Sequence, residues 1–181
     1  GEMRQRMTIF LVILSLVTGI VSAKTYYVSP GGNDNNTGTS SLPFRTIQRG
    51  LNAASKGTST IPETVQVRPG LYETPPVIFY YDHVRLVFEN NVEVMALSLS
   101  DPAEPNDPAD PLSFAHPGAT LFTLQDRQDV FIEGSDPEHA ILKMRPEEYP
   151  LGQFRHTFKL TGCKNIMINL LDLQDSGGDG I

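Results

Sequence analysis

The chain of 181 residues has the size of one ordinary domain, and with 39% hydrophobic residues it is too apolar for a disordered segment. Its formal net charge of −7 argues against nucleic acid and anionic membrane as partners, since both select a basic surface. The single cysteine, Cys163, excludes an internal disulfide, so stability has to come from packing.

At the N-terminus Arg4 and Arg6 precede an apolar run, Ile9 to Val21, that closes on Val21-Ser22-Ala23, small residues at the spacing a signal peptidase reads. The run is shorter than the roughly 20 residues a membrane span requires. Residues 1–23 therefore predict a signal peptide. The mature protein is expected to be secreted, periplasmic or on the cell surface, with no stable membrane insertion. Loss of Glu2, Arg4 and Arg6 with the leader changes the formal charge to −8. A polyanionic ligand then needs a local basic patch or bound cations.

Residues 24–63 carry a strand, a turn and a helix. Tyr26 and Val28 suit a short strand, and PGGNDNNTG is a dense turn signal. Phe44, Ile47, Leu51 and Ala54 then recur at helical spacing, with Pro43 in the first turn and Gly57 past the end, so residues 43–55 predict an amphipathic helix. Asp34 lacks the alternating acidic positions of an EF-hand loop and is read as an Asx-turn leading into that helix. Asn35-Asn36-Thr37 fits an N-glycosylation acceptor.

From Thr64 the period becomes two, with Val65/Val67, Val84/Leu86/Phe88 and Val92/Val94 pointing one way. No helical segment long enough for a crossover interrupts these strands, which excludes a doubly wound fold. A repeat follows: TLFTLQDRQDVFIEG over HTFKLTGCKNIMINL pairs Phe122 with Phe158, Leu124 with Leu160, Val130 with Ile166 and Ile132 with Ile168, all 36 positions apart. Short strands, tight corners and repetition describe a solenoid whose coils stack their apolar residues. A β-sandwich would want Asn-Gly or Asp-Gly hairpins, and Asp179-Gly180 is the one such pair.

The stretch YYVSPGGNDNNTGTSSLPFRTIQRGLNAA, followed by VQVRPGLYE, resembles the opening of secreted right-handed parallel β-helix proteins of the pectate-lyase-like superfamily. The resemblance covers Thr25 to Glu73, and the later coil pattern extends it. It implies an all-β, right-handed parallel β-helix over residues 64–181, with an N-terminal α-helix capping the first coil. It also implies a sequence that continues beyond Ile181, since such proteins usually wind more coils. The superfamily includes polysaccharide lyases, glycoside hydrolases and adhesins, so it specifies a fold more than an activity.

Candidates for chemistry lie on the later coils. Asp172, Asp175 and Asp179 occupy LDLQDSGGDGI, where Asp and Gly also serve a turn for its own sake. Read functionally, Asp175 and Asp179 are the catalytic candidates, as paired carboxylates for glycoside hydrolysis, and Asp172, Asp175 and Asp179 together can hold Ca²⁺. A lyase of the resembled kind also needs a basic proton acceptor, and Lys164, Lys159, Arg155 and Arg145 are available with nothing in their spacing to select one. Two insertions stand out. Residues 97–118, with Asp101, Glu104, Asp107 and Asp110 and no Lys or Arg, read as a long solvated loop bordering a groove. Residues 145–156 offer Arg145, Tyr149 and Arg155 as contacts for an acidic sugar chain. The four histidines show no metal-ligand spacing, and Cys163 reads as a small thiol in a corner.

These readings converge on a carbohydrate-active protein, monomeric, whose partner is a polysaccharide. A polysaccharide lyase-like enzyme on a pectate- or alginate-type polymer is the leading expectation, with Ca²⁺ as its candidate cofactor. The alternatives are a glycoside hydrolase on the same fold and a non-catalytic glycan-binding or adhesion β-helix.

Overall fold

A computed structural model of the chain describes residues 22–136, 140–150 and 155–178. Nearly all of the expected signal peptide, Phe154, and the carboxylate expected at Asp179 lie outside them. Among the described residues the chain opens with β1 (Thr25–Val28) and α1 (Ile47–Ala53). It then winds through β2 (Glu63–Val67), β3 (Gly70–Thr74) and β4 (Val77–Phe79). The next coil is β5 (Val84–Phe88), β6 (Val92–Ala96) and β7 (Phe122–Gln125); the third is β8 (Gln128–Gly134), β9 (Ala140–Lys143) and β10 (Phe158–Thr161). A further coil begins with β11 (Lys164–Asn169) and β12 (Asp172–Gln174).

Every ladder is parallel. The first sheet runs β1-β2-β5-β8-β11, the second β3-β6-β9-β12 and the third β4-β7-β10, and each coil visits them in that order. This is a parallel β-solenoid, as the repeat predicts. Phe122 pairs with Phe158, Leu124 with Leu160, Val130 with Ile166 and Ile132 with Ile168, so the partners inferred from the sequence are the ladder partners. Register also locates the insertions. Glu63 pairs with Val84, 21 residues on, whereas Val84 pairs with Val130, 46 residues on; the extra 25 residues are the excursion 97–121.

Strand burial alternates because each coil points every second side chain inward, and those residues stack on their counterparts above and below. Val65, Leu86 and Ile132 form one fully buried row. Phe79, Phe122 and Phe158 form an aromatic file, with the Phe122 and Phe158 rings 5.2 Å apart and stacked at 20°. Burying each such ring is worth about 1.5–3 kcal/mol.

The helix is shorter than the periodicity predicts. Phe44 forms a parallel bridge with Val28, and its N–H donates to the Tyr27 carbonyl, so residues 43–45 extend the sheet edge instead of starting the helix. Asp34 accepts from the backbone N–H of Arg45 and Thr46 and from the Thr46 hydroxyl, at 2.8, 2.9 and 2.9 Å. Thr46 then caps the helix by accepting from Arg49 N–H. Ile47, Leu51 and Ala54 are buried as expected, and α1 packs on β1, β2 and β4 at the start of the stack. Gly50 makes that contact possible: a Cβ there would sit 2.7 Å from Val65 Cγ1 and 2.8 Å from Val28 Cγ2.

Three strands of the first sheet, β5, β8 and β11, are entered through a left-handed residue at or just before their start, His83, Asp129 and Asn165, with φ of 57°, 53° and 52°. These residue types tolerate that conformation best after glycine. Their side chains touch along the stack: Asn165 Nδ2 donates to Asp129 Oδ1 at 2.5 Å, and His83 Nδ1 lies 3.0 Å from Asp129 Oδ2. The histidine contact meets the distance of a hydrogen bond but not its alignment, so we treat it as an electrostatic contact.

Candidate functional site

The residues singled out from the sequence fall into two groups. Asp172, Asp175 and Arg145 belong to the outward face and margin of the second sheet. Asp172 is paired with outward-facing Ile141, and its Oδ2 accepts from Gln174 Nε2 at 2.6 Å. Asp175, left-handed at φ 53°, holds Lys143 Nζ at 3.3 Å. Arg145 reaches Glu73 at 3.0 Å and Glu148 at 3.3 Å, and its Nε donates to the Ala96 carbonyl. Each of these groups is already engaged by a protein partner. Among the described residues no three His, Cys, Asp or Glu side chains lie together as a cation would need, so Asp172 and Asp175 do not by themselves fit Ca²⁺.

Tyr149 and Arg155 form the second group, and both are buried. The Tyr149 hydroxyl donates to the Leu97 carbonyl at 2.7 Å, and its ring stacks on Phe114 with centroids 4.9 Å apart. Burial pushes its phenol far above the ordinary tyrosine range, with the Glu148 carboxylate adding to the effect. Arg155 is 0% exposed. Its guanidinium donates to the carbonyls of His116 at 2.6 Å, Ala119 at 3.2 Å and Pro150 at 2.8 and 3.0 Å, and it packs over Tyr149. Desolvation lowers its pKa below the usual guanidinium value. These two side chains are committed to holding the insertions together, and neither is presented to a ligand.

What they hold is an ordered wall. Both insertions leave the corner between the second and third sheets, on successive coils, so they lie side by side. Residues 98–119 form a run of turns at intervals of three: Asp101 N–H donates to Ser98, Glu104 to Asp101, Asp110 to Asp107, Ser113 to Asp110, His116 to Ser113 and Ala119 to His116. Asp101, Asp107 and Asp110 each accept from the N–H two residues on, and a proline follows each of them. Proline presets the second position of such a turn and aspartate supplies the first. The segment also has a buried centre, where Glu104 Oε1 accepts from Ser113 Oγ and Phe114 N–H at 2.5 and 2.8 Å. It is a built structure, where the sequence suggested a solvated loop. The missed signal was the triplet spacing Asp-Pro-x, Glu-Pro-x, Asp-Pro-x, Asp-Pro-x from Asp101 onward.

This wall borders a groove on the outer face of the third sheet. One part, about 500 Å³, is lined by Ile78 and Tyr80 from the first coil, Thr123, Gln125 and Arg127 from the second, Lys159 from the third, and His116 from the wall. It adjoins a second part of about 480 Å³ between Pro117, Gly118 and His156 on one side and Lys159 and Thr161 on the other. Tyr80 is 51% exposed. Arg127 is tied to Asp82 at 3.2 Å and to the Tyr80 carbonyl at 2.9 Å, whereas Lys159 has no ionic or hydrogen-bond partner among the described residues. A further cavity of about 410 Å³ beside α1 has most of its polar groups engaged, with Gln48 bonding both backbone groups of Ile78 and Glu73 holding Arg145; the Arg45 side chain has no partner among the described residues, but the cavity's one aromatic ring, Tyr72, is buried. The groove is therefore the candidate site. Sequence reasoning placed Lys159 among four basic residues without selecting it, although the repeat sets it opposite Thr123 on the outward face.

A family model described as a protein of unknown function, DUF1565, matches residues 30–76; that family is associated with β-helix proteins. No curated protein and no solved structure matches the chain. The matched segment runs from the turn before α1 to the end of β3, so it bears on the fold and stops short of the groove's lining residues. Among the described residues no helix is long and apolar enough to cross a membrane.

Proposed function

We propose that this is a secreted carbohydrate-active protein of the pectate-lyase-like superfamily, a right-handed β-helix that acts on an acidic polysaccharide of the pectate or alginate type. Right-handedness follows from the general preference of parallel crossover connections. The observation that carries the functional reading is the groove on the third sheet. Its two adjoining parts share Gly118 and Lys159, are floored by strands of the third sheet and are walled by an ordered insertion, an extended arrangement that suits a polymer. Its lining combines an exposed aromatic ring, amide and hydroxyl groups, an imidazole and an unpaired ammonium. These are the groups that stack on a sugar ring, bond its hydroxyls and attract its anionic substituent.

In a lyase, a base removes the proton alpha to the uronate carboxylate while the glycosidic oxygen departs with the bonding electrons and collects a proton. His116 lines the groove and is of the residue type that most often serves such transfers. No step is assigned to Ca²⁺.

The test is to incubate the secreted protein with polygalacturonate and with alginate. Products absorbing in the ultraviolet, with one new reducing end per cut, are expected. Reducing ends without that absorbance would make it a hydrolase. Binding without cleavage would make it a glycan-binding β-helix, and absence of both would remove the proposal.

A further inference from the structure

Four basic side chains on the outward faces of the coils are neutralised within the protein. Arg85 pairs with Glu133 at 2.6 Å, Arg127 with Asp82 at 3.2 Å, Lys143 with Asp175 at 3.3 Å and Arg145 with Glu73 at 3.0 Å. Lys159, inside the groove, has no such partner among the described residues, and neither does Lys164 outside it. Among the described residues the ladder neighbour of Lys159 is Thr123, and beyond that Ile78, so on that side no carboxylate faces it across the sheet. Among the groove's lining residues the one carboxylate is Asp126, and it leans over the corner at Gly162, where even a Cβ would collide with it. Lys159 also borders both parts of the groove, so a chain passing from one to the other must cross its ammonium.

We propose that Lys159 is the specificity-determining residue of this site, selecting anionic over neutral sugar chains by taking one sugar-borne carboxylate or sulfate. The proposal rests on the glycan reading of the groove and deepens it. On a chain of net charge −7 the long-range field repels a polyanion, so a local cation with no internal partner is what can reverse the preference. The ammonium is compact and flexible, which suits a single charged contact more than planar bidentate recognition. It therefore distinguishes charged from uncharged chains more sharply than it distinguishes a carboxylate from a sulfate. The Tyr80 ring and the Gln125 amide remain for the sugar rings themselves, while the Thr123 hydroxyl is bonded to that of Thr120 at 2.9 Å.

Calorimetric binding of the full-length secreted protein to polygalacturonate, a sulfated galactan and an uncharged galactan tests this, with Lys159→Gln beside Lys164→Gln as a control. Lys164 is exposed on β11 and borders neither part of the groove. A charge-assisted contact of this kind predicts that Lys159→Gln loses about tenfold in affinity for whichever anionic chain the wild type prefers. Its affinity for the uncharged galactan and its thermal midpoint should stay unchanged, and Lys164→Gln should match the wild type throughout. Tighter wild-type binding to polygalacturonate or to the sulfated chain identifies the anion. If Lys159→Gln keeps wild-type affinity, or if Lys164→Gln loses as much, the assignment of selectivity to Lys159 is overturned while the groove reading stands. If the wild type binds none of the three chains, the glycan reading falls and takes this inference with it.

Discussion

Two outward faces of the same solenoid present similar residue types and offer a ligand very different things. On the second sheet, Asp172, Asp175, Lys143, Arg145 and Glu73 are taken up in separate internal pairs, Lys143 with Asp175 and Arg145 with Glu73, with Asp172 held by Gln174. On the third sheet, the walled groove keeps Lys159 unpaired and Tyr80 half exposed. A count of charged residues would favour the second sheet. What separates the faces is whether the charges are already satisfied and whether a wall stands beside the sheet. Exposed ion pairs contribute little to stability, so the second-sheet pairs are best understood as a quiet surface.

The sharpest way to break this contrast is to remove the wall. Arg155→Met leaves the carbonyls of His116, Ala119 and Pro150 buried without their donor, a cost of about 3 kcal/mol or more. For a domain of this size, that lowers the thermal midpoint by roughly 6–12 °C. Glycan affinity should fall with it, while the Lys143–Asp175 face is untouched. An unchanged melt would show that the guanidinium does not clamp the insertions. Next in size is Glu104→Ala, which orphans the Ser113 hydroxyl and the Phe114 N–H for about 2 kcal/mol. Limited proteolysis should then cut within 97–121 first, and cleavage elsewhere first would mean that the run of turns stands without its carboxylate. Tyr80→Ala should leave stability within about 0.5 kcal/mol, because the ring is half exposed. It should weaken glycan binding about fivefold if the ring stacks on a sugar.

The unequal legibility of these regions has a physical cause. The coil repeat was readable because ladder partners are selected for the same inward role, so Phe122 and Phe158 or Ile132 and Ile168 announce each other. The helix face was readable for the same reason. Its start was not, because Phe44 could serve either a helix or a sheet edge, and the bridge to Val28 decided it. Arg155 and Tyr149 looked like ligand contacts because guanidinium and phenol groups usually sit at the surface; nothing local in RPEEYPLGQFRH records that a second insertion covers them. The groove was hidden for a related reason. Tyr80, Thr123 and Lys159 are separated by 43 and 36 positions and meet only through register.

The smallest expected effect is also the one that probes the comparison most directly. Asp175→Asn keeps the residue type that tolerates the left-handed conformation, φ 53°, so the backbone carries no new strain. The loss of a solvent-exposed ion pair should change stability by less than about 0.5 kcal/mol. The substitution does release Lys143, placing an unpaired ammonium on the second sheet much as Lys159 stands on the third. If a free cation were sufficient to make a site, this variant should gain affinity for acidic chains. If the wall and the aromatic ring are needed as well, calorimetry should find less than a twofold change, because the attraction of a lone surface charge is screened within about 8 Å at physiological salt. A gain of tenfold would mean that charge alone separates the two faces and that the insertions play no part in making the site.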